Sequence, residues 1–154
     1  MSIRIERAHL ETVPQVAKLF DDYRVWYGKE SDIDGAVSFL SERVQQQESV
    51  VFVAYEDSPD KSEPSAIGFT QCYPLFSSTR MRPMWLLNDL FVDPKFRGRG
   101  VSKQLIESAK ELTRTTDACG ILLETETTND IGNRLYPAVG FELEKNNFYF
   151  WTRD

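Results

Sequence analysis

The stretch from Leu87 to Leu105 constrains this chain more than any other: Leu-Asn-Asp-Leu-Phe-Val-Asp-Pro-Lys-Phe-Arg-Gly-Arg-Gly-Val-Ser-Lys-Gln-Leu. It reads as a buried strand, a turn rich in glycine and arginine, and the opening of a helix. Gly98 and Gly100 let the main chain curl where a Cβ would be strained, and a helix starting there leaves backbone N–H groups without intrahelical acceptors. Such groups converge on an anion, phosphate above all. Lys95, Arg97, Arg99 and Lys103 place four cationic side chains around the turn in a protein of net charge −6. The local charge runs against the global one.

Two familiar phosphate-binding patterns are absent. No stretch offers Gly-x-x-x-x-Gly-Lys followed by Ser or Thr, and Gly98-Arg99-Gly100-Val101-Ser102-Lys103 ends in lysine where the dinucleotide fingerprint needs glycine. What remains is Arg97-x-x-Gly100-x-Ser102 behind a hydrophobic strand and Asp93-Pro94. This resembles the acetyl-CoA signature of the GCN5-related N-acetyltransferase (GNAT) superfamily, in which Gln or Arg, two residues, Gly, one residue and then Gly or Ala recur. Ser102 departs from the last position but is small.

Length and composition bound the rest. With 154 residues, 41% hydrophobic and 27% charged, the chain suits one domain, residues 1–154. It has no apolar run of the roughly 18 residues a membrane span needs, and its start lacks the apolar core of a secretory signal, so a cytoplasmic location is expected. Cys72 and Cys119 lie apart in apolar stretches and read as buried, reduced thiols. His9 is the sole histidine and has no partner at ligand spacing, so neither a metal site nor a Ser-His-Asp enzyme is expected. The basic cluster is too small for nucleic-acid binding.

Along the chain, Ile3-Arg4-Ile5-Glu6-Arg7 alternates as a strand, and Val13 to Tyr27 repeats at helical spacing behind Thr12 as cap and Pro14 in the first turn. Asp32 caps a second helix, Val50 to Tyr55 is a buried strand, and Glu56 to Ser65 a solvated loop. Ala66 to Phe76 is a strand whose edge or end Pro74 should mark. Ser77 to Pro83 is a turn, Trp85 to Val92 a strand, Val101 to Leu112 a helix with one apolar face, and Gly120 to Thr125 a further strand. Asn129 to Val139 reads as a short helix stopped by Gly140, and Phe141 to Leu143 with Asn147 to Thr152 as a closing strand pair. Strand, helix and strand around the glycine turn form a parallel crossover, with the turn at the carboxyl end of the sheet.

The carboxyl third extends the resemblance. Asn129-Asp130-Ile131-Gly132-Asn133-Arg134-Leu135-Tyr136, followed by Gly140-Phe141, is similar to the same superfamily's Asn, then Ala, then Tyr, then Gly-Phe, with Gly132 in the alanine position. The resemblance implies its α/β fold, an α+β mixed sheet of six to seven strands flanked by about four helices. It also implies a function, transfer of the acetyl group of acetyl-CoA to an amine, and a set of roles. Arg97 to Lys103, that is Arg97, Gly98, Arg99, Gly100, Val101, Ser102 and Lys103, would anchor the cofactor's pyrophosphate. The main chain of Leu90, Phe91 and Val92 would bond its pantetheine arm, provided the strand splays from its neighbour at Gly120 to Thr125. Tyr136 would be the general acid toward sulfur, and Asn129 would contact the cofactor or a bridging water.

The base and the acceptor are less constrained. Asn88-Asp89-Leu90-Phe91-Val92 resembles both the Glu-Asp-x-x-Val of diamine acetyltransferases and the Asn-Asp-x-x-Val of a branch with histone and amino-acid acetyltransferases. Asn88 stands where the former carries glutamate, which leaves Asp89 or Glu124 as base. Adjacent strand residues face opposite sides, so only one of Asn88 and Asp89 should see the cleft unless a bulge intervenes. Tyr23, Trp26, Tyr27, Gln71, Tyr73, Phe76, Arg80 and Arg82 are expected near the acceptor, the rings beside an amine and an arginine on its carboxylate. An amino acid or small polyamine leads, ahead of a protein amine; a CoA-binding regulatory domain without transfer chemistry is the other reading. The aromatic run Phe148-Tyr149-Phe150-Trp151 either packs within its own domain or builds a homodimer.

Overall fold

The computed structural model describes residues 2–154, which fall into two compact units that meet between Leu123 and Glu124. The first contains β1 (Ser2–Arg7), α1 (Val13–Trp26), α2 (Ile33–Gln45), β2 (Val50–Asp57), β3 (Ser65–Ser77), β4 (Arg82–Val92), α3 (Val101–Thr115) and β5 (Ile121–Leu122). The sheet runs β1-β2-β3-β4-β5. The first four strands are antiparallel neighbours and β5 joins β4 in parallel.

Strand alternation divides the apolar residues between two faces. Val51, Val53, Tyr55, Phe69 and Phe91 pack with Val13, Val16, Ala17 and Leu19 of α1 and with Ala36 and Leu40 of α2. On the opposite face Ala54 and Ile67 meet Val101 and Leu105 of α3, with Leu90 and Val92 against the same cluster. Thus Phe91 faces α1 and α2, while Leu90 and Val92 face α3.

Local signals set several element ends. The Asp32 carboxylate accepts the Gly35 N–H at 2.9 Å and caps α2. Thr12 does not cap α1: its hydroxyl accepts the His9 N–H at 2.9 Å and donates to the His9 carbonyl at 3.0 Å, closing the short turn Leu10–Thr12 instead. Pro74 sits inside β3, opposite Trp85. The β2 pairing ends at Cys72, so β3 is an edge strand there and the missing N–H breaks no second ladder.

The sheet has five strands among the described residues, not six to seven, because the expected closing pair is absent from it. Phe141 to Leu143 and Asn147 to Thr152 carry no strand. Aromatic residues favour a strand only where a neighbouring backbone takes up the hydrogen bonds, so composition alone does not form one. The other expected strand, Gly120 to Thr125, shrinks to Ile121–Leu122. The second unit, described by itself, holds α4 (Asp130–Ala138), with Asn129 as its N-cap.

Candidate active site

The site begins with an irregularity in β4. Asp89 pairs with Gln71 and Leu87 with Cys72, so Asn88 is an extra residue that no β3 residue opposes. This is a β-bulge, which breaks the alternation and sharpens the local twist. In consequence Asn88 and Asp89 line the same pocket. The parallel pairing with β5 stops at Leu86, two residues before the bulge.

Asp89 is buried, with only 4% of its surface exposed. Its carboxylate accepts from Gln71 Nε2 at 2.7 Å, from Asn88 Nδ2 at 3.2 Å and from the Tyr23 hydroxyl. Burial nonetheless pushes its pKa above the usual carboxylate range, against those three bonds. The same environment raises its neighbours. Burial and the Asp89 charge push Tyr73 up to about 12, and burial does the same to the Cys72 thiol. Tyr23 is raised too, by burial first and then by Asp89. Among these groups Asp89 is the carboxylate, and its raised pKa makes it the strongest carboxylate base the pocket offers.

The pocket around it encloses about 420 Å³ between Phe20, Tyr23, Arg24 and Tyr27 of α1 and its end, Lys29, Phe39 of α2, Tyr73 of β3, and Asn88 and Asp89 of β4. Phe20 and Phe39 stack at 5.9 Å, and Tyr23 meets Tyr27 edge to face at 4.9 Å. Gln71 is fully buried and its Oε1 has no partner.

Beside the pocket, the glycine turn has the geometry an anion site needs. Gly98 and Gly100 hold φ of 75° and 76°, and a Cβ at either would meet nothing within 4 Å, so backbone conformation and not crowding requires glycine there. The first helical bond of α3 runs from the Gln104 N–H to the Gly100 carbonyl, so the amides of Val101, Ser102 and Lys103 precede it. Val101 is buried and offers only its main chain.

The free flank of β4 completes this half. Asp93 donates its N–H to Ile67 of β3 at 2.9 Å, and successive strand residues alternate the side they address. Leu90 and Val92 therefore direct their N–H groups away from β3, on the flank where β5 ended. The residues present fit a phosphate-bearing cofactor with an extended, amide-containing arm.

Several residues sit elsewhere than expected. Arg80 lies in the β3–β4 turn, and Arg82 pairs with Asp117 at 3.5 Å. Arg82 is six strand positions from Asn88, roughly 20 Å at about 3.3 Å per residue, so neither arginine is a pocket residue. Trp26 belongs with the glycine turn: the Arg97 guanidinium stands 4.9 Å from its ring, while Arg97 Nε donates to the Val92 carbonyl at 3.0 Å. Arg99 is held by Glu56 at 2.8 Å. The pocket's cations are instead Arg24 and Lys29, which sequence reasoning passed over along with Phe20 and Phe39. Arg24 stood inside the aromatic run Tyr23-Arg24-Val25-Trp26-Tyr27, and that adjacency was the available signal.

In the second unit, Asn129 Oδ1 accepts the Gly132 N–H at 3.1 Å and Nδ2 donates to Thr125 Oγ1 at 2.8 Å, so the side chain caps α4. Tyr136 lies on α4 with its ring edge-on to Phe141 at 5.9 Å. A Cβ at Gly132 would fall 2.5 Å from Asn129 Nδ2 and 3.1 Å from the Tyr136 ring, which accounts for glycine in the alanine position. Glu124 lies beyond β5 and not on it.

Known proteins resemble this chain in sequence and in fold. An uncharacterized N-acetyltransferase of Bacillus subtilis, YhfO, is 37% identical over 140 residues, covering 91% of this chain and 90% of that one. Aminoglycoside N(6')-acetyltransferase type 1 of Salmonella typhimurium is 29% identical over 99% of both chains. A crystal structure of a probable acetyltransferase superposes with a TM-score of 0.90 at 33% identity, over 98% of this chain and 99% of that one. AAC(6')-Iy in complex with the bisubstrate analogue CoA-S-monomethyl-acetylneamine shares the fold, with a TM-score of 0.81 at 24% identity over the whole of both. Residues 14–141 match the acetyltransferase (GNAT) family, a span that takes in the bulged strand, the glycine turn and α4, and the chain belongs to that family.

Proposed function

We propose that this acetyl-CoA-dependent N-acetyltransferase acetylates the primary amine of a small molecule, amino-acid or polyamine-like, by direct attack in a ternary complex. The observation that carries the reading is the bulge at Asn88, which sets Asn88 beside the buried Asp89 carboxylate in an aromatic pocket next to an open strand flank. A cavity of about 420 Å³ suits a small acceptor, since small-molecule sites run from about 300 to 1,000 Å³. The carboxylate of Asp89 supports transfer over a purely CoA-binding role, even with Asn88 in the glutamate position.

Acetyl-CoA, when bound, supplies an activated thioester. The amides of Val101, Ser102 and Lys103, with Arg97, would hold its pyrophosphate, and the N–H groups of Leu90 and Val92 would hold its arm. An N–H aimed at the thioester oxygen is worth about 3 kcal/mol in the transition state. A lysine-like amine, with a pKa of about 10.4, is neutral in only about one molecule in 2,500 at pH 7. Asp89 Oδ accepts the surplus proton, and its raised pKa makes it a stronger base than an exposed aspartate. We assign the Tyr136 hydroxyl to give a proton to the departing sulfur.

The test is thiol release from acetyl-CoA across amino acids, polyamines and lysine peptides, with Tyr136→Phe beside the wild type. Turnover with small amines, reduced at least about tenfold in the variant, is expected for loss of a general acid. Preference for lysine peptides over every free amine would move the reading to a protein acetyltransferase. Calorimetric acetyl-CoA binding without turnover on any amine would leave a CoA-binding domain.

A further inference from the structure

The charge distribution of the pocket narrows the acceptor class, on the reading just given. Among the described lining residues Asp89 is the one acid, and Arg24 and Lys29 are the two cations. They sit at different depths: Asp89 is buried, whereas Lys29 is exposed and Arg24 half-buried. Both cations come from the end of α1, where Tyr27 ends the helix and Gly28, at φ 79°, turns the chain so that Lys29 follows Arg24 to the same pocket.

Arg24 is a fixed donor. Its Nη1 donates to the Glu30 carbonyl at 3.1 Å and stands 3.7 Å from Asp21 Oδ1. Asp21 is itself occupied, accepting the Ser31 hydroxyl at 2.6 Å and the Asp32 N–H at 2.7 Å, and it does not line the pocket. A guanidinium has five N–H donors, so most of Arg24's remain available to an anion. An ammonium reaching Asp89 would then have an aromatic wall along its body and two positive charges beyond it. A second ammonium on the same molecule would lie against like charge, and a carboxylate there would meet Arg24 and Lys29.

We infer that the acceptor is an amine that also carries an anionic group, an amino acid or a similar zwitterion with an apolar body, and that Arg24 and Lys29 select it. The pocket discriminates against polyamines and polycationic aminosugars, the class named for some relatives. The two cations also help the chemistry, because positive charge near the ammonium lowers its pKa and opposes the effect of Asp89.

The experiment compares matched acceptors on the purified chain: phenylalanine against phenethylamine and lysine against cadaverine, with spermidine and neamine as polycations. The carboxylated member of each pair should be favoured in kcat/KM by about tenfold or more, the effect of one or two hydrogen bonds to a charged group. Arg24→Gln and, separately, Lys29→Gln should shrink that ratio through the KM for the carboxylated amine. Lys29 is exposed, so its variant reads selectivity even if Arg24→Gln disturbs the end of α1. A wild-type preference for cadaverine, spermidine or neamine would overturn the inference alone and leave the transferase standing. So would a carboxylate preference unchanged in both variants. Failure of every amine to release thiol would overturn the transferase reading and this inference together.

Discussion

Asp21 and Asp89 each expose 4% of their surface, yet Asp89 is packed far more deeply and their acidities move in opposite directions. Asp21 lies under the connection between α1 and α2, where the Ser31 hydroxyl and the Asp32 N–H bond to it at 2.6 and 2.7 Å and Arg24 adds a positive charge. Those bonds outweigh desolvation and hold its pKa below the usual range. Asp89 lies on the sheet beneath α1 and α2, where desolvation outweighs three hydrogen bonds from uncharged groups. Two carboxylates of equal exposure therefore differ in kind. Asp21 ties a loop to a helix, and Asp89 is the group that the proposed function makes the base.

The comparison breaks most visibly on exchange of each carboxylate for its amide. Asp89→Asn should cut amine-dependent thiol release by about a hundredfold or more, as loss of a general base does. Its thermal midpoint should hold or rise, because a desolvated charge has been removed; a large fall in stability would make Asp89 a structural residue. Asp21→Asn should do the reverse in kind. It should lose roughly 2 kcal/mol in urea unfolding, as one charge-assisted acceptor goes, while calorimetric acetyl-CoA affinity stays as in the wild type.

The pH dependences should have opposite signs. Asp89 is raised in the fold, so the stability it contributes is whole below the ordinary carboxylate pKa and is lost as pH rises through its raised value. Asp21 is lowered, so its contribution is present above the ordinary value and lost as pH falls through its depressed one. Urea midpoints from pH 3 upward should show Asp89→Asn gaining on the wild type as pH rises and Asp21→Asn falling behind it. With Asp89 as base, kcat/KM for the amine should climb through that raised value, and a flat profile in the wild type would remove Asp89 from the proton path. Ser31→Ala is the mildest probe, expected to cost about 1 kcal/mol by the loss of one hydrogen bond.

What could be read from the chain, and what could not, separates along the same line. The glycine turn was legible residue by residue because its parts are local. Gly98 and Gly100 adopt the left-handed conformation their identity permits, and α3 starts where the turn ends. Asp32 as a cap and the apolar stripes of α1 and α2 were legible for the same reason. The aromatic pocket around Asp89 was half legible. Tyr23, Tyr27, Tyr73, Asn88 and Asp89 meet in it, but its cations are Arg24 and Lys29 and not Arg80 and Arg82. Strand rise carries Arg82 away from Asn88 because β4 already begins at Arg82, where the sequence reads as a turn.

The sequence by itself determined the helices and a cationic glycine turn in a chain of opposite net charge, and its motifs carried the resemblance to the family. The helices and the turn follow from dihedral preferences and apolar spacing, which act within a few residues. Tertiary structure alone decided that Asn88 bulges, that Asn88 and Asp89 share a pocket, and that β4 parts from β5 at Leu86. A bulge is a mismatch between two strands far apart in the chain, and an elevated carboxylate pKa is a property of everything packed around it. Neither is encoded at any one position, so the chemistry of Asp89 becomes visible only when the sheet and both helices have closed over it.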